Sequence, residues 1–159
     1  MNAQRGPHVW GCLMKTPTLL LALLGLAVST SAFAKTGWED DFDKGLAKAK
    51  TDKKAVLVDF TGSDWCGWCI KLDKEIFSKP KFKDYAKEKL VLVEVDFPQG
   101  KRLPKKQQAA NDELAKKYNV RGYPTVIVFS AEGAEIGRLG YTEGGPEAFI
   151  AELEKVLKK

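Results

Sequence analysis

The chain has 159 residues, of which 44% are hydrophobic, 30% charged and 10% aromatic, and its formal net charge is +5. This is the composition of one ordinary globular domain; it excludes a disordered tail protein, a collagen-like chain and a disulfide-dense mini-scaffold. One His and three Cys leave little material for a protein-only zinc site, and the odd Cys needs a reason.

Residues 1–34 are predicted to be a leader rather than part of the domain. Residues 19–28 form an apolar run, Lys15 precedes it, and small residues follow it up to Ala32-Phe33-Ala34. A basic flank, a short apolar core and an Ala-x-Ala site are the three parts of a secretory signal peptide. The competing reading is an uncleaved anchor, but the apolar core falls well short of the roughly 20 residues a spanning helix needs. A start at Met14 would also give a complete leader. Cys12 precedes the apolar core, the wrong side for a lipoprotein cysteine. Cleavage near Ala34 removes Arg5 and Lys15 and no acid, so residues 35–159 carry 24 basic and 21 acidic groups. It also removes the only His, both Met and Cys12. The expected location is periplasmic or secreted, and the remaining chemistry must work without imidazole. That excludes Ser-His-Asp and Cys-His hydrolases, which need a His as general base.

The remainder, residues 35–159, reads as one alternating α/β unit. Thr36-Gly37-Trp38-Glu39 looks like a capping box, and Trp38, Phe42, Leu46 and Ala49 recur at helical spacing, so a helix is predicted over about 38–50. Residues 55–60 are a short apolar, β-branched run, read as a buried strand. After a loop over 61–65, a helix is predicted from Cys66 to about Phe77. Lys79-Pro80 breaks it before a second piece over about 81–88. A strand over 90–95 leads into a polar, basic segment over 97–110. A helix is predicted over 112–118, strands over 125–130 and 135–140 around an Ala131-Glu132-Gly133 turn, and a last helix on Phe149, Ile150, Leu153, Val156 and Leu157. Crossovers imply parallel pairing of the first strands, and the short turn implies an antiparallel hairpin at the end.

The chemistry concentrates at Cys66-Gly67-Trp68-Cys69. Two thiols with two residues between them can close a disulfide across one helical turn. At a helix start the first thiol faces unpaired N–H groups and the positive end of the dipole, which favours its thiolate, the nucleophile of disulfide exchange. The second, one turn further in, suits resolution of a mixed disulfide. Three readings compete: a metal ligand pair, for which no His remains; a structural disulfide, a weak staple for so short a loop; and a chance pair of buried thiols.

At this point the sequence resembles the thioredoxin superfamily. Four features carry the resemblance: Val58-Asp59-Phe60 ahead of the motif, the run Trp65-Cys66-Gly67-Trp68-Cys69-Ile70-Lys71, the run Val120-Arg121-Gly122-Tyr123-Pro124-Thr125, and Gly140 after the last strand. The resemblance implies the α/β thioredoxin fold, a mixed sheet of about four to five strands flanked by helices. It implies that Cys66 attacks and Cys69 resolves, the two forming the redox disulfide. It implies a cis bond before Pro124, and a substrate face built from Trp65, Gly67, Trp68, Tyr123 and Pro124. Asp59 matches the buried carboxylate that assists proton transfer at the resolving Cys, and its apolar surroundings should raise its pKa. The chain departs from the family in three places. The loop before Trp65 is one residue longer, Trp68 replaces the usual Pro or His, and the lysine that partners the buried aspartate has no clear match. Glu94-Val95-Asp96 occupies the neighbouring strand instead.

The function expected from these residues is that of an exported thiol–disulfide oxidoreductase, a reductase or isomerase of protein disulfides, needing no cofactor or metal and acting as a monomer. Its partners would be exported proteins with Cys pairs and a membrane protein that donates electrons. The alternative is a thiol-based copper(I)-binding or chaperone-like module, and a third reading is a non-catalytic interaction domain. Soft thiolates suit copper(I), but residues 35–159 lack the Met and His that copper carriers recruit. Lys101, Arg102, Lys105 and Lys106 in residues 100–108 read as a solvated loop. Without interleaved aromatics they do not make a nucleic-acid footprint.

Overall fold

Strand-forming and helix-forming segments alternate through most of the chain, and a computed structural model, which describes residues 35–158, shows how they assemble. The expected leader, residues 1–34, lies outside the described residues. In chain order the elements are α1 (Phe42–Asp52), β1 (Ala55–Thr61), α2 (Gly67–Leu72) continuing into a π-helical turn (Asp73–Phe77), α3 (Pro80–Lys89), β2 (Leu90–Asp96), α4 (Lys105–Lys117), β3 (Thr125–Phe129), β4 (Glu135–Leu139) and α5 (Gly145–Leu157). The sheet has four strands in the order β2-β1-β3-β4. β1 and β2 are parallel, and the pairs β1–β3 and β3–β4 are antiparallel, with a register shift at Val128/Phe129.

Side-chain alternation along the strands divides the core in two. Leu57, Leu90, Val126 and Val128 face Leu72, Ile76, Phe77, Phe82, Phe149 and Leu153 from α2, the π turn, α3 and α5. Val56, Val58, Phe60, Val91, Val93, Val95, Ile127 and Phe129 face Phe42 and Ala49 of α1, with Leu114 and Tyr118 at the C-terminal end of α4 packed alongside. β1 is buried almost throughout, which explains its unbroken apolar sequence. Its one buried carboxylate, Asp59, faces the layer that contains α2. Gly45 permits α1 to lie close on the sheet, since a Cβ there would collide with Val93.

Two helix starts differ from expectation. The capping box at Thr36–Glu39 does not form. Asp41 caps α1 instead, accepting from the Lys44 amide at 3.0 Å. Trp38 is spaced like a helix residue but packs in the opposite layer, 5.1 Å from the Phe77 ring, while Phe42 packs under α1. Glu39 instead bridges to β2: its amide donates to Leu92 O, and its carbonyl accepts from the Glu94 amide. The helix expected over 112–118 starts at Lys105, so half of the segment read as a basic loop is helical. Its first turns carry Lys, Gln and Ala with no apolar stripe, and periodicity had no signal to follow there.

Candidate active site

β1 delivers the chain to the head of α2 through a loop over residues 62–65. The Gly62 carbonyl accepts from the amides of Trp65 (3.3 Å) and Cys66 (2.9 Å), closing the turn. A Cβ at Gly62 would lie 2.6 Å from Nε1 of Trp65, so a larger residue there would displace that ring. The turn is held from outside by the segment after β2. Asp64 accepts from the amides of Gln99 (3.0 Å) and Gly100 (2.7 Å), and these bonds, the Gln99 one foremost, hold its carboxyl below the usual carboxylate range. The buried Asp96 accepts from the Ser63 amide (2.9 Å) and hydroxyl (2.7 Å) and pairs with Lys101 at 3.0 Å. Trp65 Nε1 donates to Phe97 O at 2.7 Å. Sequence reasoning missed this clamp: its residues are 32 to 36 positions apart, and nothing local signals that they meet.

Cys66 is the N-cap of α2, and its Sγ accepts from the Cys69 amide at 3.3 Å. The two cysteines form a disulfide, their Cα atoms 5.2 Å apart. Both are buried, yet the surface around them is aromatic and open: Trp65 is 43% exposed, Trp68 58% and Ile70 45%. Trp65 stands edge-on to Tyr123 (5.9 Å between ring centroids), and Tyr123 packs on Phe97 (5.1 Å). The Tyr123–Pro124 bond is cis, as the resemblance implies. Trp68 does not join that group. It packs on Tyr141 at 5.4 Å, Lys71 Nζ lies over both rings, and the Tyr141 hydroxyl donates to Glu75 at 2.6 Å. Tyr141 lies next to Gly140, just after β4, and no motif singled it out.

Beneath Cys69 lies a cleft of about 370 Å³ lined by Asp59, Thr61, Ser63, Cys69, Glu94 and Lys101, together with Lys35, Ile70, Asp73 and Lys74. Asp59 is only 5% exposed, and its Oδ1 has no hydrogen-bond partner. Burial first, and the neighbouring Glu94 second, push its pKa up to about 7. The cation that acts on Asp59 is Lys35, which comes from the segment ahead of α1 and pairs with Asp73. Its charge favours the ionised Asp59 but is outweighed by burial and Glu94. A carboxyl poised near neutrality and sharing a cleft with a cysteine can accept a thiol proton.

A fold of this topology with a Cys-x-x-Cys pair at a helix start defines the class of dithiol redox domains. Residues 42–157 match the thioredoxin-like domain family, and the chain belongs to that family. It is 39% identical over 127 residues to the disulfide bond reductase DsbH of Chlamydia pneumoniae, covering 80% of this chain and 76% of that protein. It is 37% identical over 129 residues to the thiol:disulfide interchange protein DsbD of Cronobacter sakazakii, of which it spans only 20%. The solved structure of a DsbH oxidoreductase superposes with a TM-score of 0.73 at 35% identity, over 94% of this chain and 95% of that one. Fold, cysteine pair and relatives agree that the chain is a thiol–disulfide oxidoreductase.

Proposed function

We propose that the protein is an exported reductase of protein disulfides, with Cys66 as nucleophile, Cys69 as resolving thiol and Asp59 as the base that serves it. The observation that carries this reading is the unpartnered carboxylate of Asp59 in the cleft under Cys69. In the reduced protein, the Cys66 thiolate attacks one sulfur of a substrate disulfide. A Cys66–substrate S–S bond forms, and the other substrate sulfur leaves as thiolate. The Cys69 thiol then gives its proton to Asp59, and its sulfur attacks Cys66 Sγ. The Cys66–Cys69 bond forms and the second substrate sulfur leaves. Two electrons pass from the dithiol to the substrate. A dithiol on a membrane protein would return them in the reverse exchange.

Trp65, Gly67, Trp68, Tyr123 and Pro124 form the proposed substrate face. Exposed aromatic rings beside the disulfide give an extended peptide apolar area to cover. The direction of reduction is supported by the similarity to the Chlamydia disulfide bond reductase, and export by the leader-like composition of residues 1–34, with cleavage after Ala34. The experiment is reduction of insulin by dithiothreitol in the presence of the purified protein, with Cys66→Ala and Cys69→Ala variants. The parent is expected to accelerate precipitation of the insulin B chain, and Cys66→Ala to be inactive. Cys69→Ala is expected to accumulate a mixed disulfide visible by mass spectrometry. A Cys66→Ala variant as active as the parent overturns the reading. Tight stoichiometric copper(I) binding without turnover would replace it with the binding-module alternative.

A further inference from the structure

The cleft under Cys69 carries more charge than one base requires. In the parallel register of β1 and β2, Asp59 is the partner of Glu94 and Thr61 of Asp96, so three carboxylates emerge on one face of two adjacent strands. Asp96 is neutralised by Lys101, and Asp73, on the π turn, by Lys35. Among the described residues Asp59 and Glu94 have no such contact; Asp59 is buried and Glu94 half-buried. Two adjacent carboxyls in a poorly hydrated site cannot both ionise cheaply, and such a pair titrates as a unit.

The cation that reaches them is Lys35, and its placement is built. The Lys35 carbonyl accepts from the Trp38 amide at 2.8 Å, and Glu39 ties the segment to β2. Lys35 Nζ lies over the rings of Trp38 (4.7 Å) and Phe77 (5.5 Å) as well as against Asp73. Burial lowers its own pKa, while Glu94 and Asp59 pull it back up, so its charge is felt by the pair and theirs by it. The other charged groups around the pair are Asp73 and Lys74 on the π turn, Asp96 on β2, Lys101 in the loop after β2, Asp40 ahead of α1 on the far side of Glu94, and Lys83 of α3 beside Lys35.

We propose that Asp59 and Glu94 hold one proton between them, and that Lys35, supplied by the segment ahead of α1, sets how readily that proton leaves. Both Glu94 and Lys35 are then positioning residues, acting on Cys69 through Asp59, with opposite signs. The inference rests on the reading of Asp59 as the base for Cys69.

The test is the pH dependence of oxidation of the reduced full chain by oxidised glutathione, followed through the fluorescence of Trp65 and Trp68, which flank the cysteines. Five proteins are compared: the parent and its Glu94→Gln, Lys35→Met, Lys35→Arg and Asp59→Asn variants. Besides the rise that follows ionisation of the Cys66 thiol, the parent is expected to show a midpoint near pH 7 that belongs to Asp59, and the variants are compared by that midpoint. Glu94→Gln removes a like charge and should move the midpoint down by about one pH unit; Lys35→Met removes a cation and should move it up by a similar amount. Lys35→Arg should restore the parent value. A merely structural role for either residue would change amplitudes or rates at every pH without moving the midpoint. An unmoved midpoint in Glu94→Gln or Lys35→Met, or shifts of the same sign, overturns the inference. If Asp59→Asn abolishes the midpoint while the other two leave it in place, the base survives and only the coupling falls. If Asp59→Asn keeps the midpoint, the base itself is wrong and the coupling falls with it.

Discussion

Asp59 is a costly residue to fold around, and its cost has a sign. Its pKa rises from about 4 in an unfolded chain to about 7 in the folded protein. The folded state therefore holds this proton more tightly, and the contribution of Asp59 to stability is greatest below pH 4, declines as pH rises towards 7, and is flat above. The penalty above pH 7 is on the order of 2–4 kcal/mol. An Asp59→Asn variant is expected to be more stable than the parent at pH 8 and equal to it near pH 4, as read by urea denaturation at the two pH values. The residue was legible in the sequence because a carboxylate inside the run Val56–Phe60 has no solvent to face. Its companions were legible only in part. Glu94 and Asp96 stood out on the neighbouring strand, but no pattern tied Lys35 to Asp59 across a helix and a strand. The contact exists because Glu39 pairs with β2 and brings the preceding residues along.

At the scale of elements, apolar runs and turn chemistry were enough to find every strand to within a residue or so, because strand burial leaves an unbroken or alternating signature in the sequence. Helix starts were harder. The capping box at Thr36–Glu39 suggested a start for α1, but the side chain that reaches a free amide is Asp41, which had not stood out in the sequence. Replacing Asp41 with Ala is expected to cost about 1 kcal/mol of stability, measurable as a lower denaturation midpoint with unchanged thiol chemistry. The helix that bears Cys66 does not stay regular. It widens into the π turn at Asp73–Phe77, which brings Asp73 to the cleft and buries Ile76 and Phe77. Such turns often accompany functional sites, and nothing in the spacing of Ile70, Leu72, Ile76 and Phe77 distinguishes one from an ordinary helix.

At the scale of the whole described domain, two apolar layers share one sheet, and β1 and β3 contribute alternate residues to both. Neither layer can melt while the strands between them hold, so unfolding should be a single cooperative transition. Phe82→Ala in one layer and Phe129→Ala in the other each remove a fully buried ring. Each is expected to cost about 3–5 kcal/mol and to lower the same thermal transition by roughly 10 °C or more. Two separable transitions by calorimetry would contradict that picture. The α/β class, the parallel β1–β2 pair and the terminal hairpin were readable from the order of the elements, but crossovers implied a parallel β3, and it runs antiparallel to β1. The division of Trp38 and Phe42 between opposite layers was not readable, because four residues apart on a presumed helix they would share a face.

The bridge from Glu39 to β2 also bears on solubility. β2 is an outer strand of the sheet, and an outer strand with free amides and carbonyls is a template on which another chain can extend the sheet. Glu39 occupies the Leu92 carbonyl and the Glu94 amide on that border with a two-bond patch of the chain's own backbone. The segment that carries Lys35 to the cleft thus also shortens the stretch of β2 open to strand addition, guarding the domain against self-association at high concentration.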